Sequence, residues 1–432
     1  MIGPRCSRPS AIDERGTEIL AIGKKEPLTK HAWQFAPRFR RGAFGWRSDL
    51  PIQRVKEAVS EIKAMARKDP VLAADGAVIL LEKLSPALEQ VDSSSGAIGS
   101  AVNKAIDTLV PIIAAAPLDV EVRQRWLQRL WTAVEDDGMS YIEGLGEFWG
   151  DLCATPAVAA DWADELLPGL ESSWGARQQG EYRYYGGTSA CLACLYAAGR
   201  YEQLLALLEK APFKWWRDRR WGVKALVAMG KRAEALRYAE ESRGLNDPVW
   251  QIAQACETIL LESGLAEEAY KRFAIDANQG TTYLATFRAI ARKYPGIPKE
   301  TILRDLVAST PGNEGKWFAA AKDTGLFDMA AELARHRSAD PRTLTRAARD
   351  YAEKQPGFAL TVGLAALHWM ALGYGYDITG SDVLDAYTAV LQAAPAAGVA
   401  VEQVQGQVRD LIAGSHPGST LLETMLGQRV GR

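Results

Sequence analysis

The strings CLACLYAAG and RYEQLLALLEK, residues 191–199 and 200–210, decide how this chain is read, because one apolar helical segment stops at Gly199 and another begins at once. The pairing recurs as WGVKALVAMG then KRAEALRYAEES (221–230, 231–242) and as IAQACETILLESG then LAEEAYKRFA (252–264, 265–274). It returns as WFAAAKDTG then LFDMAAELARH (317–325, 326–336). Gly199, Gly230, Gly264, Gly296, Gly325 and Gly357 form a ladder with steps of 31, 34, 32, 29 and 32 residues. A glycine ending a helix can take a left-handed cap, so that the next helix folds back on the first. The fold class predicted is all-α, an α-α solenoid of helix hairpins that bury a continuous core between repeats.

The second half, about residues 187–373, resembles the tetratricopeptide repeat family, whose units are helix hairpins of about thirty-four residues. That family favours a small residue five positions after the turn glycine; here stand Leu204, Ala235, Ala269, Thr301, Ala330 and Val362. Four positions later come Leu208, Ala239, Phe273, Asp305, Ala334 and Ala366. The turn Pro295, Gly296, Ile297, Pro298 departs most from the pattern. Through VDSSSGAIGSAVN (91–103), EGLGEFWGDLC (143–153) and GYGYDITGSDV (373–383), the whole chain is also similar to an uncharacterised family of bacterial proteins, a resemblance that implies no activity.

The first half is helical with a less regular repeat. In residues 52–68, Ile52, Val55, Val59, Ile62 and Met65 recur at three- and four-residue steps and make one apolar stripe. Further helices are predicted over 72–91, 97–115, 120–135, 141–153 and 157–167. On the fourth, Trp126, Leu127, Leu130 and Trp131 share a side, with Arg123, Arg125 and Arg129 on much of the rest. Residues 169–185 gather Gly, Ser, Gln and Tyr and read as a domain boundary. The expected organisation is an N-terminal arm over 1–48, a helical-repeat domain over 49–168, a hairpin array over 187–373 and C-terminal helices over 377–432.

Composition excludes several classes. Of 432 residues, 47% are hydrophobic and 24% charged, and 51 basic against 53 acidic residues leave a net charge of −2, so this is neither a disordered chain nor a bulk polycation. Five cysteines are too few for a disulfide framework, which together with a start lacking an apolar leader predicts a cytoplasmic protein. Residues 355–376 carry no Asp, Glu, Lys or Arg, yet Pro356, Gly357 and the closing Gly-Tyr pairs shorten the apolar run, so a buried layer is expected there and a membrane span is not.

Motifs for catalysis are thin. Cys191 and Cys194 form a CxxC inside a helix, which reads as two small buried hydrophobes. His31, His336, His368 and His416 are scattered, with no HExxH. The acids Glu135, Asp136 and Asp137 read as a solvated turn, and the serine run 93–100 as a capping loop without a Walker lysine. No cofactor, metal or enzymatic activity is predicted.

Two basic-aromatic clusters stand out. Residues 30–47 hold Arg38, Arg40, Arg41 and Arg47 among Trp33, Phe35, Phe39, Phe44 and Trp46, and residues 213–224 hold Lys214, Arg217, Arg219, Arg220 and Lys224 around three tryptophans. Such mixtures clamp phosphates and stack bases, or form cation-π contacts that pin a segment down. The leading functional expectation is a scaffold binding a protein segment in its groove; the alternative is a nucleic-acid-binding repeat protein using Arg38, Arg40, Arg41, Arg47, Lys214 and Arg219. Partner contacts are expected on the first helix of each hairpin, at Tyr184, Tyr185, Arg217, Arg220, Lys224, Gln251, Gln254 and Lys316.

Overall fold

A computed structural model describes residues 31–178, 185–244, 248–336, 338–414 and 416–431. Its described residues hold twenty-one α-helices and no strand, and at 71% helix the chain has about twice the ordinary share. By its internal contacts the chain divides into two units, Met1–Gln203 and Leu204–Arg432.

The first unit contains α1 (Asp49–Ala66), α2 (Pro70–Leu88), α3 (Ala97–Ala115), α4 (Val120–Glu135), α5 (Trp149–Cys153), α6 (Pro156–Gln178) and α7 (Thr188–Ala197). Asp69 accepts the Leu72 N–H at 2.9 Å, and Pro70 fills the first helical position, so α2 starts where its N-terminal signals place it. Helices α1, α2 and α3 pack on one another, and α3 continues to α5. Trp131, Trp149 and Trp162 meet at centroid distances of 5.2, 5.3 and 5.9 Å and form the deep contact that two tryptophans on α4 imply.

Arg123 corrects its placement on the outer side of α4. It is buried, and its guanidinium donates to the carbonyls of Ile113, Ala114 and Ala116 at the end of α3 and of Leu152 in α5. A cation at a helix C-terminus meets unpaired carbonyls and the negative end of the dipole, which makes its burial tolerable without a carboxylate. Arg129 faces Glu82 with two bonds of 2.7 Å.

The division of the chain falls at 203/204, and not within 169–185. The helix α6 runs on through Pro168 and Gly169 to Gln178, and the Tyr185 ring fills a slot between Gly169 and Gly187. A Cβ at either glycine would lie 2.7 or 2.6 Å from that ring, so the slot exists only because both residues lack one. The Tyr185 hydroxyl donates to the Leu166 carbonyl at 3.0 Å, and burial pushes it up to about 12. Tyr185 thus fastens α6 to the start of α7.

The division cuts α8 (Tyr201–Glu209); the second unit follows with α9 (Trp216–Ala228), α10 (Arg232–Glu240), α11 (Val249–Glu262), α12 (Ala266–Ala277), α13 (Tyr283–Lys293) and α14 (Lys299–Ala308). Then come α15 (Phe318–Asp323), α16 (Phe327–Leu333), α17 (Pro341–Tyr351), α18 (Pro356–Ala371), α19 (Gly380–Ala396), α20 (Val401–Ala413) and α21 (Ser419–Leu426). Helices pack in sequence-adjacent pairs, α9 on α10, α11 on α12, α13 on α14, α15 on α16 and α17 on α18, and one core runs from Trp216 to Val430. This is an α-α solenoid of helix hairpins. The apolar segment at 355–376 is its helix α18, whose Phe358, Leu360, Val362, Leu367, Trp369 and Met370 are buried. One described helix, α3, is long and apolar enough to cross a membrane, and its Ile98, Val102, Ile106, Leu109 and Ile113 are buried inside the first unit.

Four ladder glycines turn as expected. Gly199, Gly230, Gly264 and Gly325 have φ of 73 to 78°, and the N–H after each bonds the carbonyl five residues back, as Lys231 does to Leu226 at 2.8 Å. Gly296 and Gly357 do not: neither has a positive φ, and Gly357 lies inside the first turn of α18. The same left-handed turn recurs at Gly373 and Gly398 instead, with Tyr374 bonded to Trp369 and Val399 to Ala394, both at 2.9 Å. Replacing Gly230 or Gly264 by Ala should therefore lower stability by about 1 kcal/mol each. Gly357→Ala, with ordinary backbone and open space around it, should cost nothing measurable; thermal denaturation of the three variants checks this.

Candidate functional site

The side chains of the two basic-aromatic clusters are mostly engaged within their own units. Trp33, Phe35, Phe39 and Phe44 are buried and touch in a chain at 5.5, 6.4 and 5.5 Å, leaving Trp46 exposed. Arg38 pairs with Glu57 at 3.1 Å, Arg41 with Glu89 at 3.3 Å, and Arg40 donates to the Pro37 carbonyl. Arg47 is exposed, and Lys30 lies outside the described residues. The arm over 31–47 is therefore an aromatic plug with its arginines turned outward, and among its aromatic rings Trp46 alone is free to stack on a base.

Arg219 corrects the expectation of an anion contact. At 4% exposure it donates to Ser242 Oγ at 2.6 Å and to the Tyr238 carbonyl at 3.2 Å, with its guanidinium 3.7 Å from the Tyr238 ring centre. It clamps α9 to the end of α10. Trp216 and Trp221 are buried; Lys224 sits 4.2 Å over Trp221 and Arg220 donates to the Arg217 carbonyl. Lys214 and Arg217 are exposed, beside Phe213 and Trp215, which stack at 5.1 Å.

The expected partner contacts are spread over several repeats. Tyr184 lies outside the described residues, and half-buried Tyr185 is a wedge within the first unit. Gln251 is half-buried on α11; Gln254 is exposed there and donates to the Ala277 carbonyl at the end of α12. Lys316 stands in the turn before α15, 5.6 Å over Tyr283.

The residues that do converge around a cavity belong to a pair the sequence left unmarked, α17 and α19. Asp340 caps α17, accepting from the Thr343 N–H at 2.9 Å and its hydroxyl at 2.7 Å. The helix then buries Leu344, Thr345, Ala347 and Ala348 and carries Arg342, Arg346 and Arg349 at i, i+4 and i+7 on the other side. Thr379 and Asp382 form a capping box at the start of α19. The same Asp382 receives Arg342 through two bonds of 2.8 and 2.9 Å, while Arg342 also donates to the Asp377 carbonyl at 2.7 Å. These bonds hold Asp382 well below the ordinary carboxylate range. Their stabilisation is thus complete above the usual aspartate value and is lost only in strongly acid solution.

Between the two helices opens a cavity of about 620 Å³. Arg346 and Arg349 stand on one wall, Asp385, Thr388 and Gln392 on the other, and Tyr376, 90% exposed, comes from the loop before α19. Arg346 bonds the Arg342 carbonyl and the Thr343 hydroxyl, and Arg349 bonds Asp350. The sequence signal was present in PRTLTRAARDY, 341–351, as three arginines opposite an apolar face. It went unread because no ladder glycine ends α17.

Among the described residues no three His, Cys, Asp or Glu side chains are grouped to hold a metal ion. Cys194 lies 4.0 Å from Cys153, a contact that together with burial pushes its thiol up, and burial pushes Cys191 up to about 12. Asp137 accepts the Ser85 hydroxyl and the Met139 and Ile142 amides, which makes it the organiser of the acidic turn.

No protein-family model matches the chain, and no curated protein matches it. Among solved structures it is similar to a circular tandem repeat protein with novel repeat topology and enhanced subunit contact surfaces, over 87% of each chain, at 14% identity and a TM-score of 0.16. At that score the two do not share a superposable fold, and the description of this chain as a helical-repeat protein rests on its own helices. A structural Arg219 has a consequence: Arg219→Ala should cost about 1–3 kcal/mol, because it strips a buried hydrogen-bonded cation, whereas exposed Arg217→Ala should stay within about 0.5 kcal/mol. Urea unfolding of both variants distinguishes the two roles.

Proposed function

We propose that this chain is a non-enzymatic, tetratricopeptide-like scaffold of the cytoplasm, and that it holds a segment of a partner protein in the groove between α17 and α19. The single observation that carries the reading is the cavity itself. It lies between the first helices of successive hairpins, with arginines on one wall and Asp385, Thr388 and Gln392 on the other. A segment lying there can place an acidic side chain against Arg346 and Arg349 and exchange hydrogen bonds with Thr388 and Gln392. The exposed Tyr376 supplies a ring of the kind that anchors interfaces. Arg342 is the fixed part: bound by Asp382 and the Asp377 carbonyl, it sets the spacing of the walls.

A nuclease-treated extract passed over full-length protein with a photo-crosslinker at Thr388 should yield a discrete partner. Arg346→Glu should weaken its capture by about fivefold, or about 1 kcal/mol, without changing the melting temperature. Crosslinks confined to other helices, with capture indifferent to Arg346→Glu, would remove the groove from the binding face.

A further inference from the structure

A second groove lies wholly in the first unit, between α1 and α3, and its charge is one-sided. About 420 Å³ in volume, it is lined by Lys56 and Lys63 of α1, Arg67 just after it, and Lys104 of α3, and no acidic residue lines it. Its floor is small and aliphatic: Val55, Val59, Ala64, Ala101 and Ala105. Among the described residues, no carboxylate comes within 4.0 Å of any of the four cations. Acids of the same helices face elsewhere. Glu57 bonds Arg54 at 2.6 Å and Arg38 at 3.1 Å, and Glu61 accepts the backbone N–H groups of Gln34 and Phe35. Asp107 of α3 lines a different cavity, beside α5. Helix α1 thus turns Glu57 and Glu61 to the N-terminal arm and Lys56 and Lys63 toward α3.

We infer that the α1/α3 groove receives an acidic amphipathic helix of a partner protein. Four cations around an aliphatic floor complement a helix whose apolar stripe fills the floor and whose Glu or Asp residues flank the stripe. From Lys56 to Arg67 the groove follows about 16 Å of helix axis, so the occupant engages through about three turns. A phosphate backbone fits less well: no aromatic side chain lines the groove to stack a base, and the floor would stay wet beneath it. The inference concerns the first unit and stands apart from the α17/α19 groove.

The probe is a fluorescent synthetic peptide of about four turns, with Leu on one helical face and Glu on the rest, titrated against the full chain beside a scrambled peptide of the same composition. The helical arrangement should bind about tenfold more tightly than the scramble, and binding should weaken with salt. Lys63→Glu, Arg67→Glu and Lys104→Glu together should cost at least about tenfold, and Lys104→Glu alone, on the other wall, about threefold. Lys68→Glu, exposed but outside the lining, should change nothing. The inference is overturned by equal affinity for the two peptides, by no binding at about 100 μM, or by binding indifferent to the reversals. Tighter binding of oligothymidylate, or of vesicles rich in phosphatidylserine, lost in the same variants, would reassign the groove to nucleic acid or lipid.

Discussion

A helix with one apolar face is stable in water only against a neighbour, so a chain made of such helices must turn sharply and keep turning. In the second unit the turn is a left-handed glycine that satisfies two helix-terminal carbonyls while reversing the chain, at Gly230, Gly264 and Gly325 and again at Gly373 and Gly398. Everything else leans on that reversal. Ala235, Ala269 and Ala330, five residues beyond their glycines, are fully buried because the second helix has been folded back onto the first. The core runs unbroken because each hairpin leaves its other face for the next.

Buried charges show how the two units stay ordered without burying bare ions. Arg123 is satisfied by four backbone carbonyls, three of them at the end of α3. Glu257, fully buried on α11, accepts from the Tyr294 hydroxyl at 2.6 Å, from Asn278 at 2.7 Å and from Lys293 at 2.6 Å. In that way α11 is tied to the ends of α12 and α13. Each group is expensive to bury alone and specific once paired, because only one arrangement of the neighbouring helices completes its bonds.

What could be read in the sequence was whatever depends on one helix at a time. The limits of α3 and α4 follow the apolar period and the flanking turns, and both the hairpin pattern and the burial of α18 were legible from it. What failed depends on the opposite wall. Arg123 looks solvent-facing until the end of α3 is placed beside it, and Tyr185 looks like a contact residue until Gly169 and Gly187 close around it. Gly357 keeps the period of the ladder yet sits just after a turn rather than in it. The arginines of α17 were visible as residues and not as a site, since a groove requires two helices and the sequence shows them one after the other.

The last helix changes what the array can become. A stack of hairpins ends in a face that is still apolar, and such a face is a template on which another hairpin can be laid down. Here α21 packs against α18, α19 and α20, with Leu422 and Leu426 fully buried, and its start is held by the Gly418 N–H on the Ala371 carbonyl. Behind it, Arg409 of α20, the helix that buries Val404 and Val408, bonds the Val430 carbonyl. Another hairpin could be laid on this side of α18, α19 and α20 only by first displacing α21.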